Sequence, residues 1–77
     1  MKIKVIVTLK KGVLDPQGKA IQQTLNGMTF SDVKQVRQGK YFDIDVNIED
    51  ERKAKTKVEE MCKKLLANLV IEDYKIL

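Results

Sequence analysis

Hydrophobic and polar residues alternate strictly at the start of the chain. Between Lys2 and Lys10, the residues Ile3, Val5, Val7 and Leu9 fall on one side; Lys2, Lys4, Thr8 and Lys10 fall on the other, with Ile6 among them. A period of two marks a strand with one buried face. Lys11–Leu14 reads as a loop. Asp15-Pro16 then opens a helix, because Asp accepts hydrogen bonds from free N–H groups of the first turn and Pro fits the first helical position. That helix is predicted over Pro16–Asn26, with Ala20, Ile21, Thr24 and Leu25 on one face and Gly27 as its stop. Gly18 breaks the local rule: it sits in the first turn, where glycine costs roughly 1 kcal/mol relative to alanine.

Further on, Ser31–Arg37 reads as a weaker strand and Gln38-Gly39 as a turn. Lys40–Ile48 carries the clearest alternation, Phe42, Ile44, Val46 and Ile48 against Tyr41, Asp43, Asp45 and Asn47. A short connection makes these two strands a predicted hairpin. Glu49-Asp50 opens a second helix over Glu51–Asn68, its acidic start suited to the positive end of the helix dipole. Ala54, Val58, Met61, Cys62, Leu65, Leu66 and Leu69 recur with the helical period and form one apolar stripe. A last strand is predicted over Val70–Ile76. The order β-α-β-β-α-β predicts an α+β, ferredoxin-like sandwich: a four-stranded antiparallel sheet with both helices on one face, as a single domain over residues 1–77. The other sheet face carries Ile6, Tyr41, Asp43 and Asp45 and is open to another chain.

With 77 residues, 43% of them hydrophobic and 34% charged, the chain has room for one modest core and is not of disordered type. No apolar run approaches the roughly 20 residues that span a bilayer. The alternating N-terminus is not a signal peptide, and the single cysteine cannot form an internal disulfide, so the expected location is the cytoplasm. The net charge of +4 permits nucleic-acid binding without arguing for it, since basic residues are spread along the chain and many sit near Glu or Asp.

Catalytic chemistry is thin. Histidine is absent, which removes the commonest general base. Cys62 lies in the apolar stripe, where a cysteine is ordinarily packing. Gly12 through Lys19 falls short of a phosphate loop: five residues separate Gly12 from Gly18-Lys19, Ala20 follows, and Asp15 would repel phosphate. Gln38-Gly39-Lys40-Tyr41-Phe42 has a faint likeness to an RNA-recognition strand. There the aromatic rings must lie on the open face, whereas Phe42 belongs to the core set and Tyr41 is flanked by Asp43 and Asp45. Asp43 and Asp45 as a metal pair lack a third ligand. No catalytic, cofactor or metal residue is therefore assigned, and a binding module is favoured over an enzyme.

Gly12-Val13-Leu14-Asp15-Pro16-Gln17-Gly18, Val36-Arg37-Gln38-Gly39-Lys40, and Leu66-Ala67-Asn68 leading into Val70-Ile71-Glu72-Asp73-Tyr74 carry a resemblance that covers nearly the whole chain. The chain resembles the PurS family, the small subunit of phosphoribosylformylglycinamidine (FGAM) synthase. One departure is Leu69, where the family usually has proline. The resemblance implies a homodimer or tetramer that joins a glutaminase subunit and a large ATP-dependent synthetase subunit in de novo purine synthesis. The complex is expected to use ATP and magnesium, and this chain neither, with no nucleic acid or membrane as partner. Leu14, Asp15, Pro16, Gln17 and Gly18 form the first set of expected partner contacts. Arg37, Gly39, Lys40 and Tyr41 form the second. Capping alone explains Asp15 and Pro16, and a turn explains Gly39. Gly18 is then a candidate point of close approach between subunits. The rival readings are a stand-alone small-molecule sensor dimer and, less favoured, an RNA-binding domain.

Overall fold

The computed structural model describes Met1–Leu77. Its elements are β1 (Lys2–Leu9), α1 (Pro16–Gly27), β2 (Gly39–Asp45), α2 (Glu51–Met61), a π-helical turn over Cys62–Leu66, and β3 (Glu72–Ile76). The sheet has three strands in the order β2-β1-β3, with both pairings antiparallel. Opposite Ile3, Val5 and Val7 stand Ile44, Phe42 and Lys40. The alternation of β1 appears directly as burial: Ile3, Val5 and Val7 are buried, Lys2, Lys4 and Thr8 are exposed, and Ile6 on the outer face is half-buried.

The core is a single layer between the sheet and α2. Ile3, Val5 and Val7 meet Ala54, Val58, Cys62 and Ala67, and the half-buried Phe42, Ile44, Leu66, Tyr74 and Ile76 pack around them. Val5, Val7, Val58 and Cys62 are the largest side chains fully removed from water. Each buried valine contributes roughly 1.5–3 kcal/mol. The stripe predicted on α2 divides into two rows. Ala54, Val58, Cys62 and Leu66, spaced by four, turn to the sheet; Met61, Leu65 and Leu69, also spaced by four, stay exposed. The predicted helix to Asn68 stops short. Regular helix ends at Met61, and the wider turn closes with the Ala67 N–H donating to the Cys62 carbonyl at 3.0 Å.

The predicted four-stranded sheet is corrected to three strands, and the hairpin is absent. Residues 31–38 lie outside any strand. Val33 and Val36 are three apart, so they cannot share one face of a strand. Local partners take up this segment instead: Asn26 Nδ2 donates to the Phe30 and Val33 carbonyls at 3.0 and 3.1 Å. Gly39 is the first residue of β2, opposite Thr8, and not a turn. Its place there is steric, since a Cβ would sit 2.6 Å from the Val7 carbonyl oxygen.

The expectation that both helices cover the sheet is also corrected. α1 contributes no residue to the core, and its one buried residue is Gly18. The chain is consequently elongated, at 48 × 24 × 14 Å, with a radius of gyration of 15.9 Å. A compact domain of this length has a radius of about 11–12 Å.

Candidate functional site

The loop after β1 is built for a tight reversal. Val13 N–H donates to the Lys10 carbonyl at 3.0 Å, and Gly12 adopts a φ of 90°, a conformation that favours glycine. The turn delivers Asp15 to the head of α1, where Pro16 occupies the first helical position. Asp15 Oδ1 accepts from the Gly18 N–H at 2.9 Å, as capping predicts. Its other oxygen, Oδ2, accepts from the Gln38 N–H at 2.7 Å, across 23 residues of sequence. One buried carboxylate therefore ties the head of α1 to the segment that enters β2. The Gln38 and Gly18 N–H groups, in that order, hold this carboxyl below its ordinary value of 3.8; burial pushes the other way, and the Arg37 guanidinium adds to the lowering.

Two further contacts close the clasp. Arg37 Nη1 donates to the Val13 carbonyl at 2.9 Å and Nη2 to the Lys10 carbonyl at 3.2 Å, so one guanidinium spans both ends of the reversal. Gln38 Nε2 donates to Gln17 Oε1 at 2.7 Å. At the centre lies Gly18. A Cβ there would stand 2.3 Å from the Val36 carbonyl oxygen and 2.7 Å from Asp15 Oδ2. The glycine that breaks the helix rule does mark a close approach, and the approach is made within the chain.

The clasp borders a cleft of about 170 Å³ on the core side of the sheet, lined by Val7, Leu9, Asp15, Gln17, Lys40 and Glu72 among others. Lys40 lies on the same face as Phe42 and brings its Nζ to 3.5 Å from Glu72 Oε2. Glu72, itself buried, accepts from the Asn68 N–H at 2.7 Å. The cleft is polar and smaller than the roughly 300–1,000 Å³ of ordinary small-molecule sites. It holds paired charges and amides, an arrangement that fixes backbone and offers no nucleophile next to a base.

The structure thus brings the two expected contact sets together through Asp15, Gly18, Arg37 and Gln38. Asp15 and Gly18 are buried; Pro16, Gln17, Arg37, Gly39 and Lys40 are exposed at the rim. Leu14 is 71% exposed and extends from the same loop. Tyr41 is not part of the cluster: it stands opposite Ile6, on the sheet face away from the cleft. Sequence reasoning missed Gln38 and Glu72. Gln38 acts through its backbone N–H, which no side-chain pattern reveals. Glu72 sits where the β3 alternation turns inward, and its reversed polarity was the available signal. Cys62 is buried, and burial first and Glu59 second push its thiol up, as for a packing residue.

Comparison with known proteins places this geometry. The family model for PurS, phosphoribosylformylglycinamidine (FGAM) synthase, matches residues 2–77. The phosphoribosylformylglycinamidine synthase subunit PurS of Methanocaldococcus jannaschii is 56% identical over 75 residues, 97% of this chain and 90% of that protein. Its crystal structure superposes with a TM-score of 0.89, covering 99% of this chain and 92% of that one. The PurS subunit of Bacillus subtilis is 53% identical over 96% of this chain and 87% of its own length. A chain in the structure of PurLQS from Thermotoga maritima is 32% identical and superposes with a TM-score of 0.87, covering all of this chain and 96% of that one. Matched along its length in both sequence and fold, the chain belongs to the PurS family of FGAM synthase subunits.

Proposed function

We propose that this chain is the small, non-catalytic assembly subunit of FGAM synthase in de novo purine synthesis. In that reaction formylglycinamide ribonucleotide, ATP and glutamine give formylglycinamidine ribonucleotide, ADP, phosphate and glutamate. The glutaminase subunit releases ammonia, and the large synthetase subunit uses it together with ATP and magnesium. The small subunit bridges the two. Holding both enzymes together raises the local concentration of ammonia before it is protonated or lost. The assembly works in the cytoplasm; no helix of this chain is long and apolar enough to cross a membrane.

The observation that carries this reading is the end-to-end match to a chain of the PurLQS structure, joined to a fold whose polar cluster is spent on fixing backbone. Self-association belongs to the same reading. The outer face of α1, with Ile21 at 41% exposure, and the neighbouring Met28 and Phe30 lie uncovered. A helix of 12 residues is marginal on its own, so a second copy is the natural cover. The free edge of β2 would take a strand from that copy, bringing the sheet to the four strands of a ferredoxin-like layout. Leu14, Gln17, Arg37, Lys40 and Tyr41 are the exposed positions through which we expect contact with other chains.

Reconstitution tests the reading. The purified chain is mixed with the glutaminase and large subunits, and glutamine-dependent product formation is followed with and without it. We expect activity to require the chain. Unchanged activity without it, together with no co-purification, would sink the proposal.

A further inference from the structure

The chain has a single asparagine–glycine pair, Asn26-Gly27, and it falls at the end of α1. Glycine leaves its backbone nitrogen unshielded and the peptide free to rotate, so that nitrogen can reach the asparagine Cγ. The other two asparagines, Asn47 and Asn68, precede Ile48 and Leu69, whose side chains crowd the same approach. The fold leaves the pair open as well. Asn26 is half-buried and Gly27 exposed, and apart from its own helix and chain neighbours nothing lies within 4 Å of where a Gly27 Cβ would stand.

Asn26 also has structural work. Its Nδ2 donates to the Phe30 carbonyl at 3.0 Å and to the Val33 carbonyl at 3.1 Å, so both amide protons pin the segment that leaves α1. That segment is strained. Thr29 has a φ of 87°, the one positive φ outside glycine, and a β-branched residue is a genuine outlier there. Met28, Thr29 and Phe30 are exposed, and α1 lends no residue to the core. Local hydrogen bonds therefore hold the end of α1 against local strain, which places it among the parts of the fold that open most easily.

We propose that Asn26 is a site of spontaneous covalent modification, a slow hydrolysis gated by fraying of α1, whose product unfastens residues 28–33. In the closed helix the Gly27 nitrogen is held as helical backbone, with its proton directed along the axis. When the last turn frays, that nitrogen gives its proton to water and attacks Cγ of Asn26. The Cγ–Nδ2 bond breaks, Nδ2 leaves as ammonia, and a five-membered imide closes. Water then adds to one of the imide carbonyls. Opening at Cγ restores the normal chain with aspartate at position 26; opening at the main-chain carbonyl routes the chain through Cγ as isoaspartate. Water enters, ammonia leaves, and nothing is oxidised or reduced. The product has lost both donors. Its carboxylate faces the Phe30 and Val33 carbonyl oxygens and lies at the negative end of the α1 dipole. Isoaspartate also adds a carbon to the backbone, which breaks the helical repeat. The segment bearing Met28 and Phe30 is released.

The full chain, native and in denaturant, is incubated in mildly alkaline buffer and sampled over days. Peptide mapping by mass spectrometry reads the conversion, and an isoaspartyl methyltransferase reports isoaspartate. We expect Asn26 to convert ahead of Asn47 and Asn68, and about tenfold or more slowly in the native chain than in denaturant, a ratio set by how rarely the turn opens. Thr29→Gly, which relieves the strained φ, should slow the native conversion and leave the denatured rate unchanged. Asn26→Asp, which reproduces one product, should lose hydrogen-exchange protection at the Phe30 and Val33 amides, whose N–H groups now donate to the Leu25 and Phe30 carbonyls at 3.1 and 3.2 Å. Conversion of Asn26 no faster than that of Asn47 and Asn68 overturns the site. Equal native and denatured rates, or no response to Thr29→Gly, overturn the gate, and full protection in Asn26→Asp overturns the release.

Discussion

Replacing Gly18 with alanine sets two physical effects against each other. Helix propensity alone favours the substitution by about 1 kcal/mol. The structure predicts the opposite sign. The new Cβ would lie 2.3 Å from the Val36 carbonyl oxygen, a distance that real contacts do not show. Val36 is backbone and must retreat by the better part of an ångström. It is followed directly by Arg37 and Gln38, whose hydrogen bonds to Lys10, Val13 and Asp15 hold the segment in place. Overpacking of this kind costs typically 1–3 kcal/mol, which offsets and exceeds the helical gain. A net loss of about 1 kcal/mol lowers Tm by roughly 4–8 °C in a domain of this size.

The control lies on the same helix. Gly27 has nothing within 4 Å of a built Cβ, so Gly27→Ala is expected to stabilise by about 0.4–1 kcal/mol. Thermal unfolding of both variants, at one fixed protein concentration because association of any kind shifts Tm, reads the pair. Hydrogen exchange at the Gln38 amide separates mechanism from mere instability: Gly18→Ala should lose protection there first. A Tm for Gly18→Ala above that of the unaltered chain, with Gln38 still protected, would refute the steric argument.

Three other outcomes follow from the same geometry. Asp15 has a folded pKa below 3.8, so its ionised form stabilises the fold above that value and the contribution fades as pH falls through the lower folded one. Asp15→Asn should therefore melt below the unaltered chain at neutral pH and converge with it in acid; a gap independent of pH would contradict the role of the charge. Arg37→Lys replaces a fork with a single ammonium that cannot span the Lys10 and Val13 carbonyls, and should cost about 1 kcal/mol, read as a drop of several degrees in Tm. Cys62, buried with its thiol pushed up, should resist a disulfide reagent until denaturant is added, whereas rapid labelling of the native chain would show that α2 opens easily.

The strands and helix starts were legible because short-range chemistry determines them. The β1 alternation maps onto burial from Lys2 to Val7, with Ile6 half-buried, and Asp15 and Asp50 both cap as their positions predict, Asp50 Oδ1 accepting from the Lys53 N–H at 3.1 Å. The false strand over Ser31–Arg37 arose from reading modest β-propensity without a period. Its valines are spaced by three, and hydrogen bonds from Asn26 to the Val33 carbonyl, from Arg37 to the Val13 carbonyl and from the Gln38 N–H to Asp15 decide its path. The two contact motifs were visible as separate stretches, but their meeting was not. The bond that joins them runs from a side chain to a backbone N–H 23 residues away, and no periodicity encodes such a pair.

The division of the α2 stripe bears on why a chain this small carries so much uncovered apolar surface. A core limited to seven buried hydrophobic residues leaves a 77-residue chain marginal as a free monomer. Evening out the packing would mean folding α1 back over the half-buried Phe42 and Ile44. The clasp opposes that by fixing the head of α1 at both Gly18 and Gln38 and by threading Val36 through a gap that only glycine leaves. The interactions that look most like a binding site thus act inward, holding the arm in an extended pose. The apolar residues left uncovered, on α1 and on the Met61–Leu65–Leu69 row, look in the sequence like ordinary core. A subunit whose stability is completed by its neighbours requires this inversion: polar groups set the geometry, and apolar groups left exposed by that geometry supply the association energy.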